Sequence, residues 1–165
     1  MPKLMVIALG LFLPAVLNAA PAYPVTPAPI IFLSDNLDEP DGLGFCLDTQ
    51  GRGRSDFAHA HSCKPNGGDV QFRFDNQNRI QSVAYPDLCL ELDGGVFRLN
   101  TCGEARSQMF QYSNDTQELH PGEDQDSCIT VGSTTQSAGP FVSRNLELTD
   151  CASAPIELKT WSVRP

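Results

Sequence analysis

LNTCGEARSQMF, residues Leu99 to Phe110, has the composition of a loop and the layout of a formula. An apolar residue, two spacers, a cysteine and five spacers lead to Gln-x-Phe. The rest of the chain carries the same layout twice more. Its cysteines fall into three couples, Cys46 with Cys63, Cys89 with Cys102 and Cys128 with Cys151, whose first members stand 43 and 39 residues apart. An aromatic follows each second member: Phe72 nine residues on, Phe110 eight, Trp161 ten. Self-similarity at a fixed period is the mark of a repeated structural unit.

Each unit, about 40 residues long, reads as four short strands. The first cysteine of each couple sits in an apolar alternation, GFCLD, LCLEL and SCITV, which is the period of a half-buried strand. Ile80 lies nine residues before Cys89 and Leu119 nine before Cys128, each after a polar turn, Asp75 to Asn78 and Ser113 to Thr116. In the middle unit the strands are placed near Leu88–Leu92, Val96–Thr101, Gln108–Tyr112 and Gln117–His120. No segment carries a 3.6-residue apolar period. Thirteen glycines and thirteen prolines suit many tight turns. The expectation is an all-β barrel or sandwich of about twelve short strands.

The first residues are not read as fold. Lys3 precedes an apolar run, Leu4 to Leu17, which ends in small residues and Ala20-Pro21-Ala22; this is the layout of a secretory signal peptide. Cleavage is expected after Ala22, with Ala19 or Ala20 as alternatives, and residues 1–22 are assigned to the signal. The run is too short to span a bilayer. The mature chain is expected to be exported, to the periplasm or beyond. It carries ten basic and twenty acidic residues, a net charge near −10. Such a chain repels phosphate backbones and anionic membranes, so neither nucleic acid nor membrane insertion is expected. All six cysteines enter an oxidising compartment, which favours three disulfides over metal ligation or catalysis. Six cysteines allow 15 pairings, and composition does not choose among them.

Three units of Cys-apolar-Asp, apolar-x-x-Cys and Gln-x-aromatic resemble the ricin B-type lectin domain, a β-trefoil. The resemblance spans residues 43 to 165, with repeats at about 43–84, 85–126 and 127–165. Gln108-Met109-Phe110 keeps the family's Gln-x-aromatic; Val70-Gln71-Phe72 and Lys159-Thr160-Trp161 depart from it. The resemblance implies pairing within units: Cys46 with Cys63, Cys89 with Cys102, Cys128 with Cys151. The last unit stops just after Trp161, without a fourth strand, and a closed barrel cannot leave that edge open. The apolar run at 29–34 is the one unassigned strand. It is expected to fill the gap beside Trp161–Val163.

Side chains alternate across a strand. In the middle unit Leu88, Leu90, Leu92, Phe97 and Leu99 therefore share the core side. Glu91, Arg98 and Asn100 share the disulfide side. The resemblance implies sugar binding on that outer side, through an acid two residues after the first cysteine, an aromatic before the second, and an Asn beside Gln-x-Trp. A carboxylate suits this because it accepts paired, charge-assisted hydrogen bonds. The first unit supplies Asp48, His59, His61 and Asp69 and is the leading site. The middle unit offers Glu91, Asn100 and Ser107 with no aromatic platform. The last has Thr130, Thr149 and Leu158 and is read as inactive. Phe72, Phe110 and Trp161 are read as core.

Other chemistries find less support. His59 and His61 with Asp48 are too few ligands for a closed structural metal site. Asp35, Asp38, Glu39 and Asp41 lack the spacing of a calcium loop. No nucleophile elbow, HExxH or phosphate loop occurs, so no enzyme and no cofactor is expected. His120, before a proline, is read as structural. Asn114-Asp115-Thr116 is a glycosylation sequon. The leading expectation is a secreted, non-catalytic module that binds glycans or glycoconjugates. The alternative is a trefoil scaffold with decayed sugar sites that binds protein, such as a protease inhibitor, through a protruding loop at Gly132–Pro140.

Overall fold

The computed structural model describes residues 20–51, 53–122 and 124–165; residues 1–19, most of the expected signal peptide, lie outside the described residues. Among the described residues fourteen strands form three like units around one core. The first unit holds β2 (Phe45–Thr49), β3 (Ala58–Ser62), β4 (Phe72–Phe74) and β5 (Ile80–Ser82). The second holds β6 (Leu88–Asp93), β7 (Val96–Thr101), β8 (Phe110–Ser113) and β9 (Glu118–Pro121). The third runs through β10 (Ser127–Val131), β11 (Gln136–Ala138), β12 (Phe141–Arg144), β13 (Leu146–Asp150), a turn of helix at Ile156–Lys159 and β14 (Trp161–Arg164). The missing fourth strand comes from β1 (Ile30–Leu33), which pairs antiparallel with β14, Leu33 facing Trp161 and Ile31 facing Val163.

Alternation explains the core. Leu88, Leu90, Phe97 and Leu99 are buried, and Glu91, Arg98 and Asn100 lie on the opposite side of the same ladder. Phe72, Phe110 and Trp161 are each 0% exposed, one from every unit, and they pack with Leu33, Phe45, Leu47, Ile80, Leu119 and Ile129. Each such side chain contributes about 1.5–3 kcal/mol by leaving water. The Trp161 indole N–H is not lost in this apolar layer, because it donates to the Ile129 carbonyl at 2.8 Å. β1 is apolar at every position because both its faces are covered. Ile31 and Leu33 join the main core, while Ile30 and Phe32 pack on Cys46, Cys63 and Val70.

The three disulfides join Cys46–Cys63, Cys89–Cys102 and Cys128–Cys151, each within one unit. The glutamine of the opening formula also finds its reason. Gln108 donates to Glu91 on β6 and to the Thr101 carbonyl on β7, and accepts from the Gly103 N–H. It laces the disulfide hairpin to the chain leaving it. In the third unit Lys159 takes this place, donating to the Cys151 carbonyl.

Residues 20–28 run as a strap beside β1. The Ala22 N–H donates to the Ser34 carbonyl, and Arg164 donates to the carbonyls of Pro24 and Thr26. Gly44 passes beneath this strap at φ +72°, where an added Cβ would lie 2.5 Å from that of Ala22. Only glycine meets both demands.

One stretch differs from its reading. Gly132–Pro140, expected as a protruding loop, contributes β11 and the turn of a hairpin, and that hairpin lies down on the first unit. β12 pairs with β3, Ser143 facing His61 and Arg144 facing Ala60, so the sheet runs β11-β12-β3-β2-β1-β14. Gly139, at φ +69°, opens the two-residue turn between Ala138 and Phe141, where primed hairpin turns need a positive φ. Polar, weakly patterned residues form strand here because β3 offers a free edge.

Candidate functional site

The β2–β3 ladder sets Cys46 opposite His61 and Asp48 opposite His59. All four side chains therefore leave the sheet on one face, away from Leu47 and Ala60. The Asp48 carboxylate lies at the bottom, fully buried. His59 Nε2 is 3.8 Å from its Oδ2 and His61 Nδ1 is 3.7 Å. Lys64, beyond the strand end, turns back over the acid. Its Nζ lies 2.8 Å from Asp48 Oδ2 and 2.8 Å from Asp69 Oδ1. The four first-unit residues singled out from the sequence thus meet around a lysine that was not. Parity could not find Lys64, since β3 ends at Ser62 and alternation ends with it.

The cluster is incompletely satisfied. Lys64 Nζ meets Asp48 Oδ2 at 2.8 Å, which leaves Asp48 Oδ1 buried without a partner. His59 Nε2 is also buried with no partner. His61 Nδ1–H donates to the Ser62 carbonyl at 3.0 Å, which leaves Nε2 as the acceptor in the neutral ring. Burial lowers the His61 pKa below its ordinary 6.5, against the Ser62 carbonyl and the Asp48 charge, which raise it. Burial also works to lower the Lys64 pKa, but its contacts with Asp48 and Asp69 outweigh this and raise it. The cluster sets two carboxylates against one ammonium.

The hairpin from the third unit forms the opposite wall. Phe141 stands with its ring centroid 5.6 Å from that of His61, at 67°, and Ser62 Oγ exchanges hydrogen bonds with the Val142 backbone. A cavity of about 380 Å³ lies between, lined by Gly51, His59, His61 and Lys64 on one side and Ala138 to Phe141 on the other. Asp48 does not reach it. The sequence placed this acid in direct contact with ligand, whereas in the folded chain it sits beneath Lys64 and orients what lines the cavity.

The other units are closed on themselves. Glu91 accepts from Asn100 at 2.8 Å, Ser107 at 2.8 Å and Gln108 at 3.0 Å. The Gln108 bond, then those from Asn100 and Ser107, hold its carboxyl below the usual range. In the third unit the Thr130 and Thr149 hydroxyls bond each other at 2.9 Å.

Other readings meet specific obstacles. Lys64 already occupies the position a cation would take beside Asp48. Three acids of the acidic stretch are spent on internal contacts: Asp35 accepts from the Leu37 N–H, Glu39 from the N–H groups of Asp41 and Leu43, and Asp38 pairs with Arg144. His120 is buried against the Ser127 carbonyl and stands 3.7 Å from Cys151 Sγ. His120, Cys128 and Cys151 are near enough to share an ion, but both sulfurs are spent in a disulfide and offer no thiolate. Among the described residues no helix is long and apolar enough to cross a membrane.

The family model described as the ricin-type beta-trefoil lectin domain matches residues 39–161. Among curated proteins no relative matches the chain. Among solved structures, the β-trefoil lectin of the Vibrio vulnificus hemolysin/cytolysin, with N-acetyl-D-lactosamine bound, is 18% identical at a TM-score of 0.57. The match covers 81% of this chain and 90% of that one. An earthworm lectin C-terminal domain mutant, in complex with 6'-sialyllactose, is 11% identical at 0.59, covering 82% and 98%. Cytolethal distending toxin from Actinobacillus actinomycetemcomitans is 17% identical at 0.57, covering 82% and 90%. At such identities the likeness is one of fold, the β-trefoil.

Proposed function

Since the chain belongs to the ricin-type β-trefoil lectin domain family, we propose that it is a secreted, non-catalytic carbohydrate-binding module whose working site lies in the first repeat. The observation that carries this reading is the walled cavity over His59, His61 and Lys64, with buried polar atoms left unpartnered beneath it. Sugar hydroxyls both donate and accept, so they suit the imidazole acceptors and the lysine donors. Asp48 and Asp69 hold Lys64 in place from below and beside. Glycan binding on other members' folds, with N-acetyl-D-lactosamine and 6'-sialyllactose, supports the class of ligand.

Glu91 and Asn100 make the weaker, second candidate, because three internal donors already take most of the acceptor sites of Glu91. Export through a signal peptide fits three disulfides formed in an oxidising compartment. Cleavage after Ala19 would keep the strap bonds of Ala20 and Ala22, whereas cleavage after Ala22 would remove them. A single shallow site binds weakly, so several copies on one surface raise avidity.

The test is a glycan array followed by titration calorimetry. Wild type is expected to bind a defined set of glycans, and His61→Ala to lose about tenfold or more, as when a buried hydrogen-bonding partner is removed. Binding to no glycan by correctly oxidised wild type would overturn the reading.

A further inference from the structure

We propose that the β11–β12 hairpin of the third repeat is part of the first-repeat site, with Phe141 supplying the apolar face on which an uncharged terminal pyranose packs. This rests on the reading just given and goes beyond it in naming the residue and the class of sugar.

The β2–β3 hairpin presents no aromatic to the cavity beyond its two histidines, because Phe45 is buried in the core and Phe57 packs against Arg98. A pyranose presents an apolar C–H face, and the electron-rich face of a phenyl ring is its natural counterpart. Phe141 is half-buried, lines the cavity and has its ring plane at 67° to that of His61. Phe141 and His61 thus line one space, where one bound sugar ring would contact both.

The hairpin is held for this position. Arg144, buried at 6% exposed, donates to Asp38 Oδ1 and to the Gly132 carbonyl, each at 2.6 Å. Thr135 donates to the same Asp38 oxygen. Ser62 ties Val142 across the ladder. A wall fixed before ligand arrives costs little ordering entropy on binding.

The same wall selects the ligand. A cavity of about 380 Å³ is near the lower end of ligand sites, which run from about 300 to 1,000 Å³. Walled on two sides, it takes the end of a glycan rather than the middle of a polymer. Lys64, the cation lining it, is already shared by two carboxylates, and the cluster keeps a net negative charge. Carboxylated sugars such as sialic and uronic acids therefore meet repulsion, with no free cation among the described residues that line the cavity to offset it.

The experiment titrates the oxidised mature chain with methyl glycosides of galactose, glucose, mannose and the N-acetylhexosamines, and with N-acetylneuraminic acid and methyl glucuronide. At least one neutral glycoside is expected to bind and the two acids are not. Phe141→Leu keeps an apolar side chain for hairpin packing but removes the ring, and is expected to weaken binding about tenfold. Phe141→Tyr is expected to stay within about threefold of wild type. Thermal melting and the Val142 amide signal verify that the hairpin stays docked in each variant. If His61→Ala loses binding while Phe141→Leu binds as wild type, the hairpin proposal falls and the first-repeat site stands. Preference for the acidic sugars overturns the ligand class alone, and no binding at all overturns both readings.

Discussion

Arg144 and Asp38, 106 residues apart in the chain, meet at 2.6 Å, and the meeting fastens a hairpin of the third repeat over the first. Asp38 sits in the loop after β1, so one contact joins the chain's N-terminal crossing, the inserted hairpin and the edge of β3.

Removing Asp38 leaves a buried guanidinium with the Gly132 carbonyl as its one hydrogen-bond partner among the described residues, over the Phe45 ring. Asp38→Ala is expected to cost about 1–3 kcal/mol in urea unfolding. It should also speed amide exchange at Val142 and Arg144 without affecting Leu90 or Leu99. Burial raises the Asp38 pKa, but the hydrogen bonds from Thr135 and Arg144 and the Arg144 charge outweigh this and lower it. A carboxyl lowered in the folded state adds stability above its unfolded value near 3.8 and loses it as pH falls through the folded value. The wild-type advantage over Asp38→Asn should therefore vanish in strong acid.

His61 acts in the opposite sense. Its folded pKa is lowered, so the unfolded chain binds the extra proton first. Stability from the neutral ring is complete above about 6.5 and falls as pH drops below that value. Urea midpoints at pH 7.5 and 5.0 should differ less in His61→Gln than in wild type. An equal difference in both would show that His61 is not the group that titrates.

Lys64 is the partner of a fully buried carboxylate. Lys64→Met should destabilise by about 3 kcal/mol, the lower end for a broken buried pair because Lys64 itself stays 21% exposed. Adding Asp48→Leu should restore much of the loss, since the stranded charge is gone. A double-mutant cycle in urea measures this coupling, and additive losses would refute it.

Each disulfide closes a short loop, with sequence separations of 17, 13 and 23. Replacing one pair by alanine should cost roughly 3 kcal/mol in the chain-entropy model. Cys46–Cys63 should cost the most, because both sulfurs pack in the cluster with Ile30 and Phe32 and leave a cavity when removed. Thermal melts of the three double-alanine variants check the order.

Much of this architecture is legible in the sequence alone. Strand alternation and the spacing of cysteines and aromatics are local properties, and they identify three units with Phe72, Phe110 and Trp161 inside. The apolar run at Ile30–Leu33 could be read as a strand with no partner in its own unit. Parity grouped Asp48 with His59 and His61 because two adjacent strands share one pleat. Three things could not be read: the lysine that folds back past a strand end, the burial of Asp48 beneath it, and the docking of a polar hairpin on another repeat. Those depend on side chains separated by up to 106 residues, brought together only when the barrel closes. Periodicity records which way a residue points from its own strand. Which neighbour meets it there, and whether water still reaches it, is decided by packing between units.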